Sequence, residues 1–434
     1  MQSKISRALT SALAAGAVGA FMAPGGAVAS GFALAEVSTA GIGTANALVA
    51  NPQETGAFAY NPSAMGFHDA PSVALGAIMI SPSFTVTTDS GSHESQGAEW
   101  LAGPMIQAAV KVADQWRVGL AVNAPFGLET RWAYGTFPKL SQSRTVPFPP
   151  PFGPVTVPTG NHPAESKLEI LDFVPSVAYR VNENLSLGLG ADIYWAKSAQ
   201  LNSNLGQMNG DGSGLGVNLS ALYRLDALSF GIAYRSGATL DIDGGYTPQS
   251  VPLVAAGRLQ PGQSAKVELD LPWTLQVGVR YAFTDALAVE IDWTRTGWSK
   301  FDTLEVRGDA TGALIFADTN DWSDTNAYRL GLTYQVRPAT QLRFGYSYDE
   351  TGQGDEHFSA RVPDSDRQLF GIGIAQDLGN GYSLEGSYMY VLGKDRNYRS
   401  ATPYAGLDVN GTDAIDGDYE MDAHLIGIEI VKVF

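Results

Sequence analysis

Period-two alternation of apolar and polar residues recurs along most of the chain after residue 72 and is sharpest toward its end. Between 286 and 295, Leu287, Val289, Ile291 and Trp293 fall on one side of an extended chain, and Ala288, Glu290, Asp292 and Thr294 on the other. Segment 328–336 repeats the pattern, with Tyr328, Leu330, Leu332, Tyr334 and Val336 against Arg329, Gly331, Thr333 and Gln335. Segments 342–349, 370–376, 382–390 and 426–434 do the same. Such alternation predicts β-strands with one apolar face. The other face is Gly-rich and charged, too polar for the core of a soluble sandwich. A sheet closed on itself in lipid, apolar outside and polar inside, accommodates both faces.

The pattern predicts strands near 73–87, 98–112, 116–130, 166–181, 185–198, 213–225, 228–241, 264–283, 286–307, 322–337, 340–351, 366–377, 382–395 and 419–434, fourteen in all. Every second connection is short (113–115, 182–184, 226–227, 284–285, 338–339, 378–381), and those between them are longer, notably 131–165, 242–263, 308–321, 352–365 and 396–418. Short periplasmic turns alternating with long external loops are the habit of bacterial outer-membrane barrels, as is an even strand number. The expectation is an all-β fold: a 14-stranded antiparallel transmembrane β-barrel over 72–434. The final strand places Ile426, Ile428, Ile430 and Phe434 outward, Glu429 inward, and Lys432 where its stem snorkels at the membrane edge. A terminal Phe on such a strand resembles the signal read by the barrel-assembly machinery.

The first 71 residues follow a different rule. Residues 1–29 read as a signal peptide: Lys4 and Arg7, an apolar stretch from Ala8 to Phe21, and the small-residue site Ala27-Val28-Ala29. Cleavage before Ser30 removes two positive charges and takes the formal net charge from −17 to about −19. No later apolar run reaches the roughly 18 residues of a helical span, so export leads to the outer membrane of a Gram-negative bacterium. Residues 30–71 show no sustained alternation, yet Phe32, Leu34, Leu48, Phe58, Tyr60, Met65 and Phe67 are enough apolar mass to pack. They are expected to form a hatch plugging the barrel lumen.

Composition narrows the function. The acidic balance argues against nucleic acid as a partner. The five histidines (His68, His93, His162, His357 and His424) are scattered, and none pairs at metal-ligand spacing. Gly41 and Gly43 lack the preceding strand and acidic partner of a dinucleotide site. There is no Gly-x-Ser-x-Gly elbow, and Thr412 and Asp413 break the calcium-loop register of 408–420. No enzyme, cofactor or metal site is expected.

Several stretches resemble the FadL/TodX family of outer-membrane transporters of long-chain fatty acids and hydrophobic compounds. They are Ser30-Gly31-Phe32-Ala33-Leu34, Gly41-Ile42-Gly43-Thr44-Ala45, Asn61-Pro62-Ser63-Ala64, Asn123-Ala124-Pro125-Phe126-Gly127-Leu128, Leu271-Pro272-Trp273, Trp298-Ser299-Lys300-Phe301 and Val362-Pro363-Asp364-Ser365-Asp366-Arg367. The resemblance implies capture of an apolar ligand at the outer surface, transfer to an apolar lumenal pocket, hatch rearrangement, and lateral release through a kink in the third strand. The ligand is a fatty acid or an aromatic hydrocarbon; a nonspecific porin and a barrel-embedded lipase are the rivals. Partners are then the hydrophobic small molecule, outer-membrane lipid and lipopolysaccharide, and the assembly machinery, with the barrel a monomer.

The kink is expected at Asn123, Pro125, Phe126 and Gly127, because Pro removes a ladder donor and Gly weakens a strand; a harmless rim bulge is the alternative. Pro175 in the neighbouring segment is expected to mark the far side of the gap. Phe32 matches the family's N-terminal Gly-Phe, which implies a ring near the ligand. Asn61, Pro62 and Ser63 match its Asn-Pro-Ala motif, with Ser63 in place of Ala, and are expected to set a turn that anchors and gates the hatch. Lumenal parity nominates Asp192, Arg235, Arg280, Glu290, Asp292, Arg329, Arg343, Glu385 and Glu429. Arg280, Arg329 and Arg343 are candidate forks for a ligand carboxylate, or else members of interior ion pairs. Lys197 has outward parity unless a bulge turns it. Loop 199–212 is expected to be short, leaving the Pro-rich 144–163, with Val146, Phe148, Phe152, Val155 and Val157, to face loop 247–263, with Val251, Leu253, Val254 and Leu259, across an external groove.

Overall fold

A strand with one apolar and one polar face is stable when each face meets its own solvent and no hydrogen-bonding edge is left open. The computed structural model, which describes residues 31–97, 99–147, 153–406 and 408–434, meets both conditions. The expected signal peptide, 1–29, lies outside the described residues, as do Phe148 and Phe152. Among the described residues the staves are β1 (Ser72–Thr88), β2 (Leu101–Lys111), β3 (Trp116–Arg131), β4 (Pro163–Arg180), β5 (Leu185–Ser203), β6 (Gly206–Leu225), β7 (Leu228–Arg235 and Ala238–Pro248) and β8 (Gln263–Leu271 and Thr274–Ala282). The ring continues through β9 (Leu287–Thr296 and Thr303–Gly308), β10 (Leu314–Thr319 and Thr325–Arg337), β11 (Thr340–Asp349), β12 (Arg367–Gly379), β13 (Tyr382–Gly393 and Arg396–Tyr398) and β14 (Gly417–Val433). Neighbours pair antiparallel, and β14 closes on β1 from Ser72↔Val433 to Thr87↔Asp418. The result is a closed 14-stranded barrel, as the alternation predicts.

The two faces separate cleanly. Outward-parity Leu189, Leu215, Ile428 and Phe434 are 52, 73, 53 and 71% exposed, part of an apolar belt far too extensive for a protein surrounded by water. The inward-parity charged residues Asp192, Arg280, Glu290, Asp292, Arg329, Arg343, Glu385 and Glu429 are all buried. Lys197 stays outside, 2.6 Å from Glu169, although the β5–β6 ladder does shift register between Ala196 and Ala199.

One expected connection is absent. Loop 199–212 is instead the continuation of β5 and β6, which pair out to Asn202↔Gln207 around a turn at Asn204 and Leu205. Its Gly-rich sequence reads as a loop because Gly weakens isolated strands. Here β7 pairs along the other edge, from Asp241↔Ser213 to Pro248↔Gly206, so both edges are satisfied and the glycines allow close approach.

Residues 31–71 lie inside the ring, in a chain of short turns around helix α1 (Thr39–Gly43), whose residues are all buried and whose N-cap is Ser38. The Gly-rich lumenal face now has a physical reason. A Cβ at Gly331 would stand 2.9 Å from that of Ala47, and side chains at Gly231, Gly345 and Gly371 would strike the backbone of residues 42–50. Bare wall is what lets the segment lie against the strands.

Candidate functional site

The site begins with a gap in the third stave. Strand β3 pairs with β2 from Lys111↔Arg117 to Ile106↔Val122 and no further, while Leu101–Met105 of β2 pair onward with β1 alone. On its other side β3 skips Ala124 and Pro125 between Asn123↔Asp172 and Phe126↔Ile170. Pro125 has no N–H to offer the ladder, and the extra residue re-aims the strand. The break in the ladder therefore lies between β2 and β3. Pro175 is not its far side: it is in register with Leu120 on the intact β3–β4 flank.

The N-terminal segment covers this break from within. Ala33 forms an antiparallel bridge with Phe126, Leu34 N–H donates to Pro125 O at 2.7 Å, and Gly127 N–H donates to Phe32 O at 3.0 Å. Residues 32–34 thus restore part of the pairing that β3 loses at its bulge. Phe32 is held in an aromatic box, with ring centroids 4.9 Å from Trp298, 5.2 Å from Phe301, 6.0 Å from Phe126 and 6.4 Å from Trp322. Gly31 precedes it at φ 60°, where a side chain would meet the rings of Trp298 and Trp322. Its N–H donates to Asp364 at 3.1 Å, and Thr351 Oγ1 donates to the same carboxylate. Burial raises the pKa of Asp364, opposed by the Arg367 guanidinium.

Three lumenal cavities meet at residues 32–34. An apolar one of about 90 Å³ runs outward from Phe32 between Leu168, Met208, Ile242, Leu269 and Phe301, with Asp318 and Arg361 among its lining. A second, also about 90 Å³, extends past Leu34 toward Phe84 and Leu425. A third, about 140 Å³, borders Asn123, Pro125 and Phe126 at the bulge. For scale, an engineered cavity of about 150 Å³ takes up benzene, so each space is of the order of one small ring or a short run of methylenes.

A larger external groove of about 910 Å³ lies above them. One wall is the hairpin Ser143–Pro147 and Pro154–Pro158, with Val146 and Val157; Leu253 and Arg258 of the β7–β8 connection and Tyr404 also line it. Val146, Val157 and Leu253 are thus brought together as expected, while Val251 points to solvent at 67% exposure. Beside it His162 is buried, its ring 5.6 Å from those of Tyr134 and Phe137. Burial, and then Arg361, push its imidazole down to about 4, against roughly 6.5 when unfolded. The folded pKa is the lower, so the contribution of neutral His162 is complete above about pH 6.5 and is lost as pH falls toward 4. Hydrogen exchange over 132–141 is expected to show opening becoming easier across that window, by up to about 1.4 kcal/mol for each pH unit crossed. The His162→Phe variant should not show the trend.

The candidate arginines do not converge. Arg280 lies 3.5 Å from Glu290 and donates to Thr333 Oγ1. Arg329 lies 3.6 Å from Asp349 and donates to Thr294 Oγ1; of the three it alone lines a cavity described above, the one at the bulge. Arg343 holds Glu385 at 2.6 Å and Glu54 of the N-terminal segment at 2.7 Å. All three sit in interior ion pairs. Asn61 caps the turn Pro62–Phe67, accepting from Ser63 N–H, and its Nδ2 donates to Val49 O at 2.7 Å and to Ala221 O of β6 at 3.3 Å. Ser63 N–H also donates to Ser220 Oγ of β6 at 3.1 Å. Sequence reasoning assigns no role to Trp298, Phe301, Trp322 or the Asp318–Arg361 pair. Large aromatic residues inside otherwise polar loops are the available signal.

A family model described as outer membrane protein transport protein (OMPP1/FadL/TodX) matches residues 20–146 and 152–434. The 47 kDa outer membrane protein of Pasteurella multocida is 28% identical over 89% of this chain and 95% of its own length. A long-chain fatty acid transport protein of Escherichia coli O6:H1 is 24% identical over 84% and 87%. Among solved structures, a Pseudomonas aeruginosa FadL homologue superposes with TM-score 0.76 at 19% identity, covering 93% of this chain and 99% of that one. The Ralstonia pickettii toluene transporter TbuX gives 0.67 at 18%, covering 92% and 98%.

Proposed function

The chain belongs to the OMPP1/FadL/TodX family of outer-membrane transport proteins, and from that premise we propose a route for its cargo. It is an outer-membrane transporter of hydrophobic compounds and not an enzyme. The proposed route starts in the external groove, passes into the apolar cavity beside Phe32, and leaves sideways between β2 and β3 when residues 32–34 come away from the bulge. Residues 31–71 act as the hatch. Relatives named for long-chain fatty acids and for toluene supply the two cargo classes, acyl chains and aromatic hydrocarbons. Lateral exit suits either, because apolar cargo reaches the bilayer without crossing water.

The observation that carries this reading is the bridge between Ala33 and Phe126, with its bonds from Leu34 to Pro125 and from Gly127 to Phe32. A single short segment blocks the wall gap and separates the cavities, so one displacement both opens the exit and joins the path. An unplugged porin has no use for such a contact. Replacing Pro125 by Val returns an N–H to β3 and favours a continuous ladder. Uptake of labelled oleate or toluene by cells lacking other transporters is expected to fall about tenfold, the effect of roughly 1.4 kcal/mol on the open population. The barrel should still migrate as a folded species on unheated gels. Undiminished uptake would place the exit elsewhere.

A further inference from the structure

The lumenal cavities are bordered by five cations among the described residues, Lys167, Arg235, Arg329, Arg361 and Arg367, and each already faces a carboxylate. In the apolar cavity, Arg361 Nε stands 3.7 Å from Asp318, and the same guanidinium donates to Ser166 Oγ at 3.3 Å and to Asn202 O at 3.0 Å. Lys167 lies 3.0 Å from both Glu129 and Glu169. At the bulge, Arg235 pairs with Asp192 and Asp172, and Arg329 with Asp349. Arg367 lines the second cavity together with Glu36 and Asp364. Outside, Arg144 and Arg258 line the groove and are exposed.

A carboxylate leaving water for such an interior loses its hydration, and only an available donor of opposite charge compensates. Here each cation already has a carboxylate counter-charge beside it. We propose that the lumenal path admits neutral hydrophobic molecules and turns away their carboxylates, and that Asp318 sets this preference in the apolar cavity by engaging Arg361. The proposal rests on the reading of that cavity as a station on the transport route. It assigns a residue pair as a specificity determinant: with Asp318 in place Arg361 carries a counter-charge, and without it Arg361, still held by Ser166 and Asn202 through Nη1, offers its Nε and Nη2 to a carboxylate.

The test is calorimetric titration of the full-length protein in detergent with toluene, benzyl alcohol and benzoate, which share one ring and differ in polarity and charge. Toluene and benzyl alcohol are expected to bind, with benzoate at least about tenfold weaker, since an uncompensated charge costs more than the roughly 1.4 kcal/mol of one decade. In Asp318→Asn, the affinity for benzoate relative to toluene should rise about tenfold. Benzoate binding the unmodified protein as tightly as toluene overturns the proposal and leaves transport standing. Rejection of benzyl alcohol together with benzoate overturns it too, because polarity and not charge is then what is excluded. If none of the three binds, the cavity is not a cargo station and the underlying reading fails with it. The unmodified protein decides among these outcomes even if Asp318→Asn does not fold.

Discussion

Uptake through a chain carrying Ala33→Cys and Phe126→Cys is expected to stop under oxidising conditions and to return on reduction. Residues 33 and 126 face each other across the bridge that seals β3. The flanking bonds, Leu34 N–H to Pro125 O and Gly127 N–H to Phe32 O, make them a non-hydrogen-bonded antiparallel pair. Such pairs have Cα atoms about 4.5 Å apart, within the range that a disulfide spans. The natural sequence contains no Cys, so no other thiol competes. Loss of the Phe126 ring lowers the baseline through the aromatic box, and for that reason the comparison is between oxidised and reduced forms of one variant. Oxidation should bring transport of labelled cargo to the level of cells without the protein. Equal uptake in both forms, with the cross-link verified by mass, would mean that residues 32–34 stay in place during transport and that cargo takes another path.

That the hinge of this mechanism is partly legible in the sequence, and partly not, follows from what alternation encodes. Period two records which solvent each face meets, so strand number, lumenal parity and the outward Lys197 follow from residues such as Leu189 and Asp192 directly. Pro125 declares a missing donor, and the bulge follows. Alternation says nothing about which neighbour a broken strand leaves. Pro175 is the natural candidate for the far side of the gap, but the ladder fails toward β2, where pairing with β3 stops at Ile106 without any bulge to announce it. Arg280, Arg329 and Arg343 are legible as lumenal and as members of interior ion pairs; what alternation does not show is that Arg329 takes Asp349 from the next strand and that Arg343 also takes Glu54 from residues 31–71. Gly-rich 206–212 reads as loop because the pairing that makes it strand comes from β5 on one side and β7 on the other.

Carboxylates of the barrel wall accept backbone N–H groups of residues 31–71, and removing the chief of them should open the pore. Asp292 Oδ2 accepts from Leu48 N–H at 2.9 Å, Val49 N–H at 3.1 Å and Gln276 Nε2 at 2.9 Å. Glu290 accepts from Ala50 N–H at 2.6 Å, and on the opposite wall Glu429 accepts from Thr39 N–H at 3.3 Å. The Asp292→Ala variant leaves the buried Leu48 and Val49 amides without an acceptor, while Gln276 Nε2 keeps Asn46 O at 3.1 Å. Hydrogen bonds to a charged group are worth about 1.5–3 kcal/mol each, and an orphaned buried donor costs about 1–3 kcal/mol. Entry of water returns part of this, and a net loss of about 2 kcal/mol raises the displaced population roughly thirtyfold. In planar bilayers the unmodified protein should be nearly silent and Asp292→Ala should show frequent openings. Asp292→Asn keeps a carbonyl oxygen at the same place and should stay close to the unmodified protein, which separates loss of the acceptor from loss of charge. An Asp292→Ala pore as quiet as the original would show that packing against the bare glycine wall, and not these bonds, keeps the plug seated.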